Sequence, residues 1–426
     1  MKQLYLTLLL VITSSLALLA QFEEISVGAG YANQVYYSLH SGTSTTIDHT
    51  DWDIAFGVSP QGSGIFVNEG VAASFGAPAP EVQAFYSIDE DFDTADTMNI
   101  IDRIYNPEVS WDAGAFNSIA DIGNPFDLGW GTYNPSNHSI TSNYIFFVQL
   151  RSGSWRKLEI QSLAGGVYTF RHANLDGSEL VEQTIDKADF TGKTLAYYNM
   201  ESNEVLDLEP AQWDLVFTRY TTPLDDGEGG LLEYVVTGGL SNAGVSIAQA
   251  DDIDPATVSY QDYTALLEDT LTTIGHVWKF FDFTTGWGIV EDRVYFVKTA
   301  TDSIWKVQFL DFAGSSTGNF TIQKTFEGLL VNNEELVEQT TALSLFPNPV
   351  IANQTVNIHW TLQQWEQSRA SLTIINHLGQ QLHQQAVELS TGANRFECPA
   401  PAAAGMYWLQ LQVGQATITR PFVVAQ

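Results

Sequence analysis

Two Trp-Asp pairs, Trp52-Asp53 and Trp213-Asp214, are the residues whose types and placement first suggest chemistry. An indole can stack on a planar ligand while the adjacent carboxylate takes a polar group; the same pair can instead fill a core and accept backbone hydrogen bonds at the start of a strand. The acidic clusters DEDFDTAD (89–96) and DDGE (225–228) offer oxygen ligands of the kind calcium takes. Neither has the sixth-position glycine and distant glutamate of an EF-hand, and both read as solvated loops. The sequence has no G-x-S-x-G elbow, H-E-x-x-H helix, P-loop or Gly-rich dinucleotide turn, and no spacing selects a carboxylate pair for glycoside hydrolysis. The expectation is a protein that is not an enzyme.

The Trp-Asp pairs belong to an internal repeat. Residues 36–56 (YYSLHSGTSTTIDHTDWDIAF) and 197–217 (YYNMESNEVLDLEPAQWDLVF) share a tyrosine pair, the Trp-Asp pair and a closing Phe at a constant shift of 161 positions. Further on, Gly129-Trp130-Gly131 returns as Gly286-Trp287-Gly288 at a shift of 157, and YIFFVQLRSGSWRKLEIQSLAG (144–165) lies without a gap over RVYFVKTATDSIWKVQFLDFAG (293–314) at a shift of 149. Three ordered blocks with shrinking spacing indicate duplication followed by loop deletion, and the period is that of a domain and not of a solenoid unit. Because both copies keep Trp-Asp while their other polar residues diverge, the duplication favours the structural reading of that pair. Lys157 and Lys306, also matched, read as strand residues whose stems cover apolar surface.

Elements that would position these residues are short and β-like. From residue 23 to 190, apolar or alternating runs rich in Val, Ile, Phe, Tyr and Trp are broken by SPQGSG, GAPAPE, GNPFDLG and NPSN. In KLEIQ (157–161), Leu158 and Ile160 take one face and Glu159 and Gln161 the other. One candidate helix is read near 251–272. With 426 residues, two or three domains are expected. Fifty acids against 17 bases give a formal charge of −33, so nucleic acid and anionic membranes are poor partners.

The N-terminal MKQLYLTLLLVITSSLALLA (1–20) has the form of a cleavable signal peptide, with Ala20 before Gln21, and no later run is apolar for the length of a membrane helix. A mature chain without a transmembrane segment is expected. Cys398 is the single cysteine, which leaves no disulfide within a monomer.

The Tyr-Tyr strand leading to Trp-Asp-(Ile/Leu)-(Ala/Val)-Phe, the Gly-Trp turn, YIFFVQLRSGSWRKLEI and GGVYTFRHANLDGS together resemble the HmuY-like haem-binding proteins of Bacteroidetes, over most of 25–180 and more faintly over 195–327. The resemblance implies an all-β fold that grips haem between loops and passes it to an outer-membrane haem receptor. Axial donors come from His, Met, Cys or Tyr. The first copy supplies His40, His49, His138, His172 and Met98, and the second Met200 and His276. No histidine is duplicated: His40 falls on Glu201, His49 on Pro210 and His172 on or near Lys324. At most one copy, the first, is expected to bind haem in this way. His138, in GTYNPSNHSI, and His172, in RHANLDG, are the leading axial pair, and no other metal site is expected.

Beyond the acidic connection at 331–342 the pattern changes. Val356, Ile358, Trp360 and Leu362, then Leu372 and Ile374, then Leu409, Leu411 and Val413 alternate around turns, as in a small immunoglobulin-like β-sandwich. LFPNPV, LTIINHLGQQL, the turn before AGMYWLQL and the terminal TRPFVVAQ resemble the C-terminal sorting domain of the type IX secretion system. That implies periplasmic transit and handling by the type IX machinery to a secreted or cell-surface location. The expected fold class is all-β: two tandem HmuY-like antiparallel β domains (21–190 and 191–330), a linker (331–342) and the sorting sandwich (343–426). The expected function is a secreted, haemophore-like haem-binding protein, the alternative being a surface β-module for adhesion or glycan binding without haem.

Overall fold

A computed structural model describes residues 20–70, 82–330, 340–362, 369–376, 378–390, 392–413 and 416–425. Most of the proposed leader and of the linker lie outside these residues. The fold is all-β: among the described residues the only helical elements are 3-10 turns of three or four residues. The helix read near 251–272 does not form. Pro255 follows the Asp254 turn, and only Tyr260–Asp262 and Thr264–Leu266 make 3-10 turns. Ile253, Val258, Tyr260, Tyr263 and Leu267 lie as an irregular cover on Ala248 and Phe296, so burial without helical spacing decides that segment.

The repeat is visible in the sheets. In the first copy, Ile145–Gln149, Trp155–Ala164 and Val167–Asn174 are consecutive antiparallel neighbours, as are Val294–Lys298, Ser303–Phe312 and Asn319–Leu329 in the second. Even the register slip repeats, between Ile160 and Ser162 and between Phe309 and Asp311. A bulge at the same place in both copies is a property of the scaffold.

The copies are not closed separately, because each lends strands to the other. Asn33–Tyr37 pairs with Leu215–Asp225, and Leu195–Asn199 pairs with Ile54–Gly57. The registers are equivalent: Tyr36 faces Val216 as Tyr197 faces Ala55. The opening strand Gln21–Ser26 pairs with Asn319–Leu329, while Val181–Asp186 pairs with Val167–Asn174. Residues 21–190 therefore hold no partner for Gln21–Ser26 and only one of the two neighbours of Asn33–Tyr37 and of Ile54–Gly57.

The Trp-Asp pairs fasten this exchange. Asp53 accepts the amide of Met200 and Asp214 that of Leu39, each at 2.7 Å and each across the copies. Asn68 Nδ2 and Asn242 Nδ2 donate to the carbonyls of Trp52 and Trp213 at 2.7 and 2.8 Å. Trp52 lies edge-on to Tyr197 and Trp213 edge-on to Tyr36, with centroids 5.0 and 4.8 Å apart, and the two tyrosine hydroxyls meet. Each such aromatic contact is worth about 0.5–1.5 kcal/mol beyond its buried area. Both tryptophans are buried, as the structural reading of the pair requires. Lys157 and Lys306 also act alike: the first donates to the carbonyl of Asp93 and the second to that of Pro255, pinning matching loops.

Residues from 340 on form a two-sheet sandwich. Thr340–Phe346, Thr355–Leu362 and Gly392–Pro399 make one sheet; Val350–Ile351, Ala416–Ala425, Gly405–Val413, Arg369–Ile375 and Gln381–Glu388 make the other. Val356, Ile358, Trp360, Leu372, Ile374, Leu409 and Leu411 meet between them, as the alternation predicts. Cys398 sits in that core, where burial pushes its thiol up to about 11.

A chain ending at residue 190 leaves Gln21–Ser26 without its partner and strips Asn33–Tyr37 and Ile54–Gly57 of the neighbour that each takes from the second copy. It is expected to show no cooperative urea transition by circular dichroism, whereas residues 21–330 unfold in one step. A cooperative transition from the short chain would refute the interlock.

Candidate functional site

The two leading histidines occupy different environments. His138 stands at the turn of the hairpin made by Gly131–Asn134 and Ser139–Ser142, in the left-handed backbone region (φ 57°), and is exposed. Its Nδ1 meets the Tyr133 hydroxyl at 2.7 Å, and Phe126 stacks on Tyr133 with centroids 6.4 Å apart. Ile122 and Phe126, nearby in the chain, are both exposed. His172 is 1% exposed within strand Val167–Asn174. Its Nε2 bonds the Tyr198 hydroxyl at 2.9 Å, its Nδ1 has no partner, and burial, with a smaller contribution from Arg156, lowers its pKa to about 4.

These two are not brought together. His172 lies across from Leu158, whereas Ile140, two residues past His138, lies across from Leu163. Five residues of strand separate those rows, roughly 16 Å at the usual rise. The axial pair His138/His172 is thus not assembled in this fold: one ring points into the interlocked core and the other into solvent. The sequence could not show this, because His172 differs from an exposed loop histidine only through its partner Tyr198, which comes from the second copy. By register, its counterpart is Lys324, which lies over Tyr37, the counterpart of Tyr198. Both positions cap a tyrosine of the exchanged strand.

Of the other donors, His40 and Met98 are exposed, Met200 is buried, and His276 is half-buried with Nδ1 at 3.3 Å from the Tyr220 hydroxyl. His49 is buried with neither ring nitrogen partnered, and desolvation, followed by repulsion from Arg219, lowers its pKa to about 3.

Where the copies meet, a cavity of ≈ 80 Å³ is lined by Tyr36, Trp52, Phe66, Trp111, Tyr197 and Glu69 among others. Pockets for drug-sized ligands run to about 300–1,000 Å³, so this space takes waters and not a macrocycle. Glu69 at its wall went unnoticed in the sequence, since a lone acid beside a glycine carries no pattern. Its carboxylate accepts the amides of Asn106 and Thr221 at 2.8 and 3.1 Å and so ties the copies together. Desolvation outweighs those bonds and raises its pKa to about 7.

A carboxyl whose folded pKa is raised stabilises the fold fully below its unfolded value, and that contribution is lost as pH rises through the folded value. For Glu69 the window runs from about 4.5 to about 7. Glu69→Gln removes the titration. The urea midpoint of the variant relative to the parent is therefore expected to climb between pH 5 and pH 8; a constant difference would show that Glu69 does not titrate in this window.

Among curated proteins, none matches this sequence. Solved structures similar to it include a chain of the mature Donggang virus particle, 10% identical, covering 66% of this chain with a TM-score of 0.15. This chain spans 56% of the viral chain's length. Another is the Sidekick-1 immunoglobulin domains 1–5, 10% identical, covering 88% of this chain and 77% of that one with a TM-score of 0.13. Residues 30–171 match the family model of the HmuY protein, a span that includes His138 and stops one residue short of His172. Residues 344–425 match the secretion system C-terminal sorting domain. The chain therefore carries one HmuY domain followed by a C-terminal sorting domain, which implies a secreted or cell-surface protein.

Proposed function

We propose that this is a non-enzymatic haem-binding protein of the cell surface or its surroundings, in which the HmuY domain takes haem through His138. The family match over 30–171 carries this reading. The residues present fit one axial donor and not two. The Tyr133 hydroxyl at Nδ1 orients the His138 ring and leaves Nε2 for a metal, the usual arrangement of a ligating histidine held by an outer partner. The exposed Phe126, stacked on Tyr133, supplies apolar surface close to it. Bound haem would contribute an iron open to an axial nitrogen. The second copy is read as a HmuY-like duplicate that keeps the scaffold and supplies strands, but has lost the hairpin bearing His138.

The route proposed is removal of residues 1–20, folding in the periplasm, and recognition of the folded sorting domain by the type IX machinery. A receptor for haem in the outer membrane is the partner this function calls for.

Titrating the mature protein with haem is expected to give a Soret band that His138→Ala abolishes and His172→Ala leaves in place. An unchanged band in the His138 variant would exclude this ligand, and no band in the parent would exclude haem. In a host with the type IX system, a chain lacking 344–425 is expected to accumulate in the periplasm, as immunoblots of cell fractions would show. Its appearance in the medium at parental levels would contradict the export route.

A further inference from the structure

Both copies build a hairpin directly behind their Trp-Asp pair, and both close its outer edge at matching places. In the first copy Ile54–Gly57 pairs with Ile65–Val67, whose outward amides are taken by side chains: Ile65 donates to Asn117 Oδ1 at 3.0 Å and Val67 to Asn106 Oδ1 at 3.1 Å. In the second copy Leu215–Asp225 pairs with Leu231–Ser241. Gly239 exchanges both backbone bonds with Gly275, and Ser241 donates to the carbonyl of Leu271. Ser241 faces Leu215 as Val67 faces Ile54, so the closed stretches correspond.

The second hairpin then runs on where the first has already turned back, and its two edges are treated differently. Backbone bonds alternate in direction along a strand, so the outward bonds of Gly239 and Ser241 mark the odd-numbered residues of the hairpin as those pointing away from it. On Leu215–Asp225 the outward positions are guarded: Glu69 holds the Thr221 amide at 3.1 Å, and Pro223 has no amide to offer. On Leu231–Ser241, Lys279 Nζ takes the carbonyl of Thr237. Beyond it, the outward amides and carbonyls of Val235, Glu233 and Leu231 meet no hydrogen-bond partner among the described residues, and this strand is the last of its sheet. Leu231, Leu232 and Tyr234 are 74, 57 and 48% exposed.

An open strand edge is a template for one more strand. We propose that the edge Leu231–Val235 is a docking site for a basic, extended segment of a partner protein, added antiparallel to it. Charge selects the occupant. Asp225, Asp226 and Glu228 are exposed in the turn, Glu233 stands at the centre of the edge, and the chain carries a net charge of −33. Lysine or arginine across from Glu233 and at the segment's ends complements them. The same charges oppose a second copy of this chain. The register that uses all three outward positions sets Glu233 against itself, and like charges directly opposite destabilise a sheet. Leu232 and Tyr234 lie on the other face from Glu233 and call for β-branched apolar residues across from them.

Fluorescence anisotropy of the full mature chain with a labelled Lys-Thr-Val-Lys-Ile-Thr-Lys peptide tests this. Saturable binding is expected, with the central lysine across from Glu233. Val235→Pro removes one outward amide and spares the ladder to Leu215–Asp225, whose bonds belong to the even-numbered residues. It should weaken binding at least tenfold while circular dichroism and the urea midpoint stay parental. Glu233→Lys should weaken binding likewise, and should instead take the peptide whose central lysine is replaced by glutamate. Hydrogen exchange over 231–235 should slow with the parent peptide only. Absence of binding, or binding indifferent to both substitutions, overturns the proposal. So does a concentration-dependent dimer that Val235→Pro dissolves and the peptide does not disturb, which would make the occupant a second copy of this chain.

Discussion

The exchange of strands between the two copies is the constraint on which the rest of the structure depends. Each Trp-Asp pair closes a sheet whose neighbouring strand comes from the other half of the chain. The Tyr36 and Tyr197 hydroxyls meet where the two exchanges cross. Burial raises the pKa of both tyrosines, and the second phenol nearby adds to the rise for Tyr36. Neutral phenols can share a proton between oxygens, whereas a phenolate there would lie unsolvated beside Glu209. The interlock also couples remote parts of the chain, since Gln21–Ser26 cannot pair until Asn319–Leu329 is made. Long sequence separation of this kind makes folding slow relative to local hairpins.

Given that frame, duplication and divergence have separate physical meanings. Positions that close the exchange are retained: Tyr-Tyr, Trp-Asp, the bulge, and the lysines that pin loops. Positions that only cover the frame have changed. The first copy covers its sheet with the hairpin bearing His138 and buries Trp130. The second has a shorter connection and leaves Trp287 partly exposed. Function follows the covers: the first copy's hairpin carries a histidine with an oriented ring, and the second copy has none in its place.

Much of this was legible in the residues themselves. The all-β class followed from short alternating runs, and the sandwich core from the period-two spacing of Val356, Ile358 and Trp360, all three of which are buried. The structural role of Trp52-Asp53 followed from its recurrence. What misled was distance along the chain: residues 251–272 looked helical because their apolar residues pack irregularly over a sheet, and His172 looked like a partner for His138 because the tyrosine that buries it lies in the other copy.

Sequence alone thus determined the repeat and the division between the β body and the sorting sandwich, because periodicity and recurrence are local properties that survive without contacts. Tertiary structure decided which copy each strand joins. Antiparallel pairing within a copy and between copies satisfies the same backbone groups and presents the same alternating faces, so no local pattern distinguishes them. That choice buried His172 against Tyr198 of the other copy. The Trp-Asp pairs, which looked like a site, are where the choice is made.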